Sequence, residues 1–101
     1  MSSRIAIDHE RIAAFCRRWS VRELALFGSV LRPEFRPDSD VDVLVTFEDD
    51  VPWTLFGWVD MQEELAEIFG RRVDLVDKTA IKNPFRRRHI LASHEVVYRA
   101  A

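Results

Sequence analysis

At 101 residues the chain is long enough for one small domain with a single core, and residues 1–101 read as that one domain. A hydrophobic share of 48% excludes a disordered chain, and a net charge of -2 excludes a general nucleic-acid binder relying on a basic surface. A single cysteine, Cys16, excludes an intrachain disulfide and a cysteine-rich zinc site.

In chain order, Ile12, Phe15, Cys16 and Trp19 recur at i, i+3, i+4 and i+7, which predicts a first helix from about Asp8 to Arg18. Asp8 is its N-cap, Glu10 suits the positive end of its dipole, and Cys16 falls on the apolar side as a packing residue. Val21 to Phe27 reads as a strand broken by Gly28. Ser29 to Arg32 follows as a short helical turn, and Pro33 to Asp38 as a loop. Val41 to Phe47 is the clearest strand, with Val41, Val43, Val45 and Phe47 on one face and Asp40, Asp42, Leu44 and Thr46 on the other. Glu48, Asp49 and Asp50 end it.

A second helix from about Thr54 to Phe69 carries Leu55, Trp58, Met61, Leu65 and Ile68 at helical spacing, with Gly70 at C′. Val73 to Val76 is a short strand. Asn83 and Pro84 form an N-cap followed by proline at N1, starting a third helix that runs to about Leu91. Glu95 to Tyr98 reads as a last strand or an extended tail. The order predicts a small α/β or α+β sheet with helices packed on it. No N-terminal apolar run has signal-peptide length and no stretch has membrane-spanning length, so a cytoplasmic protein is expected.

The chemistry gathers at Gly28-Ser29-Val30-Leu31-Arg32 and Ser39-Asp40-Val41-Asp42. Carboxylates two apart on a strand project from one face, and ordinary strands do not set two like charges side by side at the start of a buried run. A divalent cation between Asp40 and Asp42 would cancel their repulsion. Such a pair needs a third carboxylate, for which Asp74 is the candidate: it alternates with Val73 and Leu75 and converges on Asp40 and Asp42 if its strand lies beside theirs. Gly28 lets a ligand approach the backbone, and Ser29 offers a hydroxyl to a phosphate. Arg32 would pair with a phosphate or an acid of the site, or else form a surface salt bridge; Ser39 would orient the metal strand. The combination reads as nucleotidyl transfer.

Other features are less specific. His9, His89 and His94 lack zinc-ligand spacing. Arg86, Arg87 and Arg88 face a triphosphate, RNA, an acidic partner or simply solvent, and Trp53, Phe56 and Trp58 serve either a protein interface or the domain's own core.

These motifs resemble the signature of the polymerase-β-like nucleotidyltransferase superfamily in its minimal (MNT) form, and the likeness covers nearly the whole chain. Many members have glycine shortly after the arginine, where this chain has Pro33, Glu34 and Phe35. The resemblance implies an α+β, palm-like fold: a short mixed sheet with helices on one side. It further implies use of ATP with two Mg²⁺ ions, and carboxylate ligands matching Asp40, Asp42 and Asp74. Members this small lack the domains that bind primers, tRNA or aminoglycosides, and typically act as antitoxins that place AMP on a tyrosine of a HEPN-type ribonuclease toxin. Two alternatives stand beside this AMPylation reading: an antitoxin that masks its partner by contact alone, and a nucleotidyltransferase with a small-molecule or nucleic-acid acceptor. Base preference, acceptor and homo- or hetero-oligomeric state stay open.

Overall fold

The computed structural model describes residues 7–31, 40–48 and 53–100, the side chains of Ser29 and Val30 excepted. The expected loop from Pro33 to Asp38, the flanking Arg32 and Ser39, and the strand-ending Asp49 and Asp50 lie outside the described residues. The elements are α1 (His9–Arg18), β1 (Val21–Phe27), a 3-10 turn (Gly28–Leu31), β2 (Val41–Phe47), α2 (Leu55–Phe69), β3 (Val73–Asp77), a second 3-10 turn (Lys78–Ala80), α3 (Pro84–Ala92) and β4 (Glu95–Arg99).

Local chemistry sets most boundaries. The Asp8 carboxylate accepts from the Arg11 N–H to cap α1, and the Thr54 hydroxyl accepts from the Gly57 N–H to cap α2. Asn83 takes both the Phe85 and Arg86 N–H groups with Pro84 directly behind it, so α3 starts where no N–H is lost to proline. Gly70 ends α2 in the left-handed conformation at φ 68.

The four strands order as β3-β2-β1-β4. β1 pairs antiparallel with β2 and with β4, whereas β2 and β3 run parallel, joined through α2. The sheet is therefore mixed, in an α+β arrangement. Glu95–Arg99 is a strand rather than a tail: Glu23 lies opposite Arg99, and the guanidinium donates to its carboxylate at 2.8–2.9 Å, which ties β4 to the middle of the sheet. On the other edge, the Gln62 side chain of α2 accepts from the Leu75 N–H at 3.1 Å and blunts β3.

Strand alternation gives the sheet two apolar faces. Leu24, Leu26, Val41, Val43 and Val45 pack with Ile12, Phe15 and Cys16 of α1 and Met61, Leu65 and Phe69 of α2. Ala25, Phe27 and Leu44, from the intervening positions, pack with Ile81 and with Ile90 of α3. Helices thus lie on both faces, not the single face the resemblance implied, because the second face is apolar enough at its centre to bury Ile90 of α3. Among the described residues, no helix is long and apolar enough to cross a membrane.

Two expectations for α2 change. Leu55 is 76% exposed, and Phe69 is buried in its place along the stripe Met61, Leu65, Phe69. The room beneath the first turn is taken by an aromatic group instead: Trp53 stacks edge-on to Trp19 at 5.0 Å, and Phe47 meets Trp58 at 6.3 Å. Trp53 and Trp58 therefore serve the core, whereas Phe56 is 82% exposed.

Cys16 is buried, and that burial pushes its thiol up to about 12 against the small opposing pull of Arg17. A thiol so placed holds almost no thiolate at neutral pH. Native protein at pH 8 is expected to resist iodoacetamide over hours and to alkylate fully in denaturant; rapid native alkylation, read by mass, would contradict the packing role.

Candidate active site

β1 ends where β2 and β3 begin, and the candidate residues collect at that end of the sheet. Phe27 lies opposite Asp42 across the antiparallel pair, and Asp42 is in register with Asp74 across the parallel pair. Both aspartates project to the α3 side, since Val41, Val43 and Leu75 take the other. Asp40 stands immediately before β2. The structure thus sets Asp42 beside Asp74 and places Asp40 within electrostatic reach of Asp42.

Electrostatics register this closeness. Burial pushes the Asp42 carboxyl above the ordinary range, Asp74 and then Asp40 push it further, and the Arg86 guanidinium of α3 pulls it back. The first cause is loss of water and the next two are like charge, which is the condition a divalent cation relieves. Three carboxylates are also the hard oxygen donors that magnesium or manganese takes. The donor set fits such an ion. As they stand, no three acidic, histidine or cysteine side chains among the described residues close on a single ion position. Asp40 is instead held by Arg72 at 3.1 Å, on side chains 49% and 83% exposed. An exposed pair of this kind contributes at most about 1 kcal/mol and gives way readily.

Gly28 explains its own identity. Its φ is +76, and a Cβ built there would meet the Asp42 Oδ2 at 2.3 Å. The carboxylate therefore occupies the space that any other side chain would fill. Gly28 opens the 3-10 turn that carries Ser29; Arg32 and Ser39, the other two residues expected here, lie outside the described residues.

Beyond Gly28 a pocket of about 410 Å³ opens between the end of β1 and α3, lined by Phe27, Gly28, Leu31, Arg86, His89, Ile90 and Ser93. The sequence reading left the three arginines 86–88 undivided and dismissed His89 with zinc. The signal was present: Arg86, His89, Ile90 and Ser93 stand at i, i+3, i+4 and i+7, one face of α3. Arg87 differs, donating to the Lys78 carbonyl at 3.0 Å in a structural role.

Residues 10–97 match the family model described as nucleotidyltransferase domain. The chain belongs to that nucleotidyltransferase family. Members use a nucleoside triphosphate and a divalent metal. The chain is 46% identical over 66 residues to the protein adenylyltransferase MntA of Thermococcus cleftensis, a match covering 65% of each chain, so it spans about two thirds of that relative's length. Among solved structures, this nucleotidyltransferase resembles a toxin–antitoxin crystal structure with AMP-PNP (TM-score 0.72, 18% identity, 93% of this chain and 75% of that one). It also resembles a chain in the structure of the complex between a tri-AMPylated HEPN toxin of Shewanella oneidensis and an MNT antitoxin (TM-score 0.64, 17% identity, 91% and 70%). At those identities the likeness carries the fold.

Proposed function

We propose that this nucleotidyltransferase transfers AMP from ATP to a protein hydroxyl, with a tyrosine of a HEPN-type toxin as acceptor, and so acts as the antitoxin of a toxin–antitoxin pair. The observation that carries the chemistry is the register of Asp42 with Asp74 on adjacent parallel strands, against a glycine with no Cβ. The acceptor is supported by the adenylyltransferase relative and by the toxin complexes among the structural neighbours.

In this reading Asp40, Asp42 and Asp74 would hold two Mg²⁺ ions, which would supply charge neutralisation and polarisation of the α-phosphate. The Gly28 and Ser29 turn holds the β- and γ-phosphates, and Arg86 faces the α-phosphate from α3. Asp74 accepts the tyrosine proton as the phenolic oxygen attacks the α-phosphorus. A P–O bond forms there, the bond to the β-phosphate bridging oxygen breaks, and pyrophosphate leaves with the electron pair. Arg32 and Ser39 belong to the same proposal, as a phosphate partner and an orienting hydroxyl.

The test separates modification from masking. A folded Asp40→Ala/Asp42→Ala variant is expected to bind the toxin yet fail to protect cells from it. Toxin treated with active enzyme and ATP, then repurified, is expected to stay inactive and to weigh more by whole AMP units. Full protection by the double variant, with the separated toxin regaining activity at unchanged mass, would overturn transfer in favour of masking.

A further inference from the structure

The site described so far accounts for phosphates, metal and acceptor but leaves the base of the nucleotide without a seat. The stripe on α3 offers one. Arg86 sits at the carboxylate end, close enough to Asp42 to act on its charge. His89 and Ile90 follow one turn on, and Ser93 caps the helix at the far end. Seven residues of α-helix span roughly 10 Å, about the reach from an α-phosphate to the far edge of its base. Along this stripe the chemistry changes from cationic to apolar to neutral polar. The walls between the ends are Phe27, Leu31 and Ile90, all buried side chains held by β1, the 3-10 turn and α3.

The stretch between Arg86 and Ser93 disfavours a phosphate, because a charge against its apolar walls, away from the Arg86 guanidinium, loses its hydration. A flat heterocycle suits it: two apolar faces for the walls, and ring nitrogens and exocyclic groups for a hydroxyl or imidazole at the rim. Pockets for small ligands run from about 300 to 1,000 Å³, and about 410 Å³ lies at the end suited to one nucleoside.

We propose that the pocket between Phe27, Leu31 and the α3 face of His89, Ile90 and Ser93 seats the base of the nucleoside triphosphate, with His89 and Ser93 reading its polar edge. The proposal rests on the transfer reading above and adds to it which residues hold the nucleoside.

Ser93 and His89 are exposed at the rim, so both can be changed without opening the core. Ser93→Trp fills the pocket mouth, and His89→Ala removes an edge contact. By calorimetry with Mg²⁺, the wild type is expected to bind ATP at least tenfold more tightly than inorganic tripolyphosphate. Ser93→Trp is expected to lose at least tenfold in ATP affinity at unchanged tripolyphosphate affinity and unchanged melting temperature. His89→Ala is expected to alter the ratio of ATP to CTP affinity. Wild-type binding of ATP that neither variant alters, or equal wild-type affinity for ATP and tripolyphosphate, would overturn the base pocket and leave the transfer reading intact. Failure of the wild type to bind ATP with Mg²⁺ at all would overturn both.

Discussion

Replacing Asp42 by asparagine is expected to lower label transfer from α-labelled ATP at least about a hundredfold, a loss of roughly 2.7 kcal/mol in transition-state stabilisation, while making the metal-free protein more stable. The first effect follows from removing a charge at the centre of the carboxylate group. The second follows from the raised Asp42 carboxyl. Between its ordinary and its raised value, the folded state holds more protons than the unfolded one, so stability falls as pH rises through that window. Above the raised value the full penalty stays. Asparagine carries no such penalty. In excess chelator at pH 7 the variant is therefore expected to melt above the wild type, and the gap to close as pH drops below the ordinary carboxylate range. Added Mg²⁺ is expected to raise the wild-type melting temperature more than the variant's. Retained transfer in a folded Asp42→Asn protein would remove Asp42 from the site, and a lower melting temperature in chelator would contradict the like-charge account.

Gly28→Ala is expected to damage both fold and activity. A left-handed conformation costs a residue with a Cβ about 1–2 kcal/mol, and Gly28 stands at φ +76. The added Cβ would also lie 2.3 Å from the Asp42 Oδ2 and 3.3 Å from its Cγ, so the carboxylate must leave its position over the turn. A melting temperature lowered by several degrees is expected, with transfer reduced on the order of a hundredfold or more. Because both changes strike one contact, Gly28→Ala combined with Asp42→Asn is expected to lose far less activity than the product of the two single losses. An alanine variant with wild-type melting and transfer would show that Gly28 and Asp42 do not share that space.

On the proposed reading, transfer and base binding would draw on separate parts of this end of the sheet. Transfer would draw on Asp40, Asp42 and Asp74 of β2, β3 and their approach; the base would draw on α3, the end of β1 and the 3-10 turn that carries Leu31. Variants of the carboxylates are therefore expected to lose transfer while still binding nucleotide, which binding and transfer measured on the same variants would check.

The sequence by itself determined what nearest neighbours along the chain decide. Asp8 and the Asn83–Pro84 pair started their helices where expected, Gly70 stopped α2, and the alternation from Val41 to Phe47 gave β2 its full length. Caps, prolines, left-handed glycines and period-two patterns act within a few residues, so they can be read without the fold. That Asp42 shares a face of β2 with Leu44 was legible for the same reason, whereas Asp40 stands just before the strand. Asp74 was legible as a candidate only: its place depends on β3 lying parallel to β2 in the register that sets it beside Asp42, and pairing between residues as far apart in sequence as Asp42 and Asp74 is not written locally. Leu55 lies outside the core because Trp19, Phe47 and Trp53, from outside the helix, fill the space under the first turn of α2. Only the tertiary structure laid α3 over the second face of the sheet and thereby divided Arg86 from Arg87, turning one toward the carboxylates and the other to the Lys78 carbonyl. That choice is made by Ile90 burying against Phe27 and Leu44, and a helix acquires an inside only when it has something to pack against.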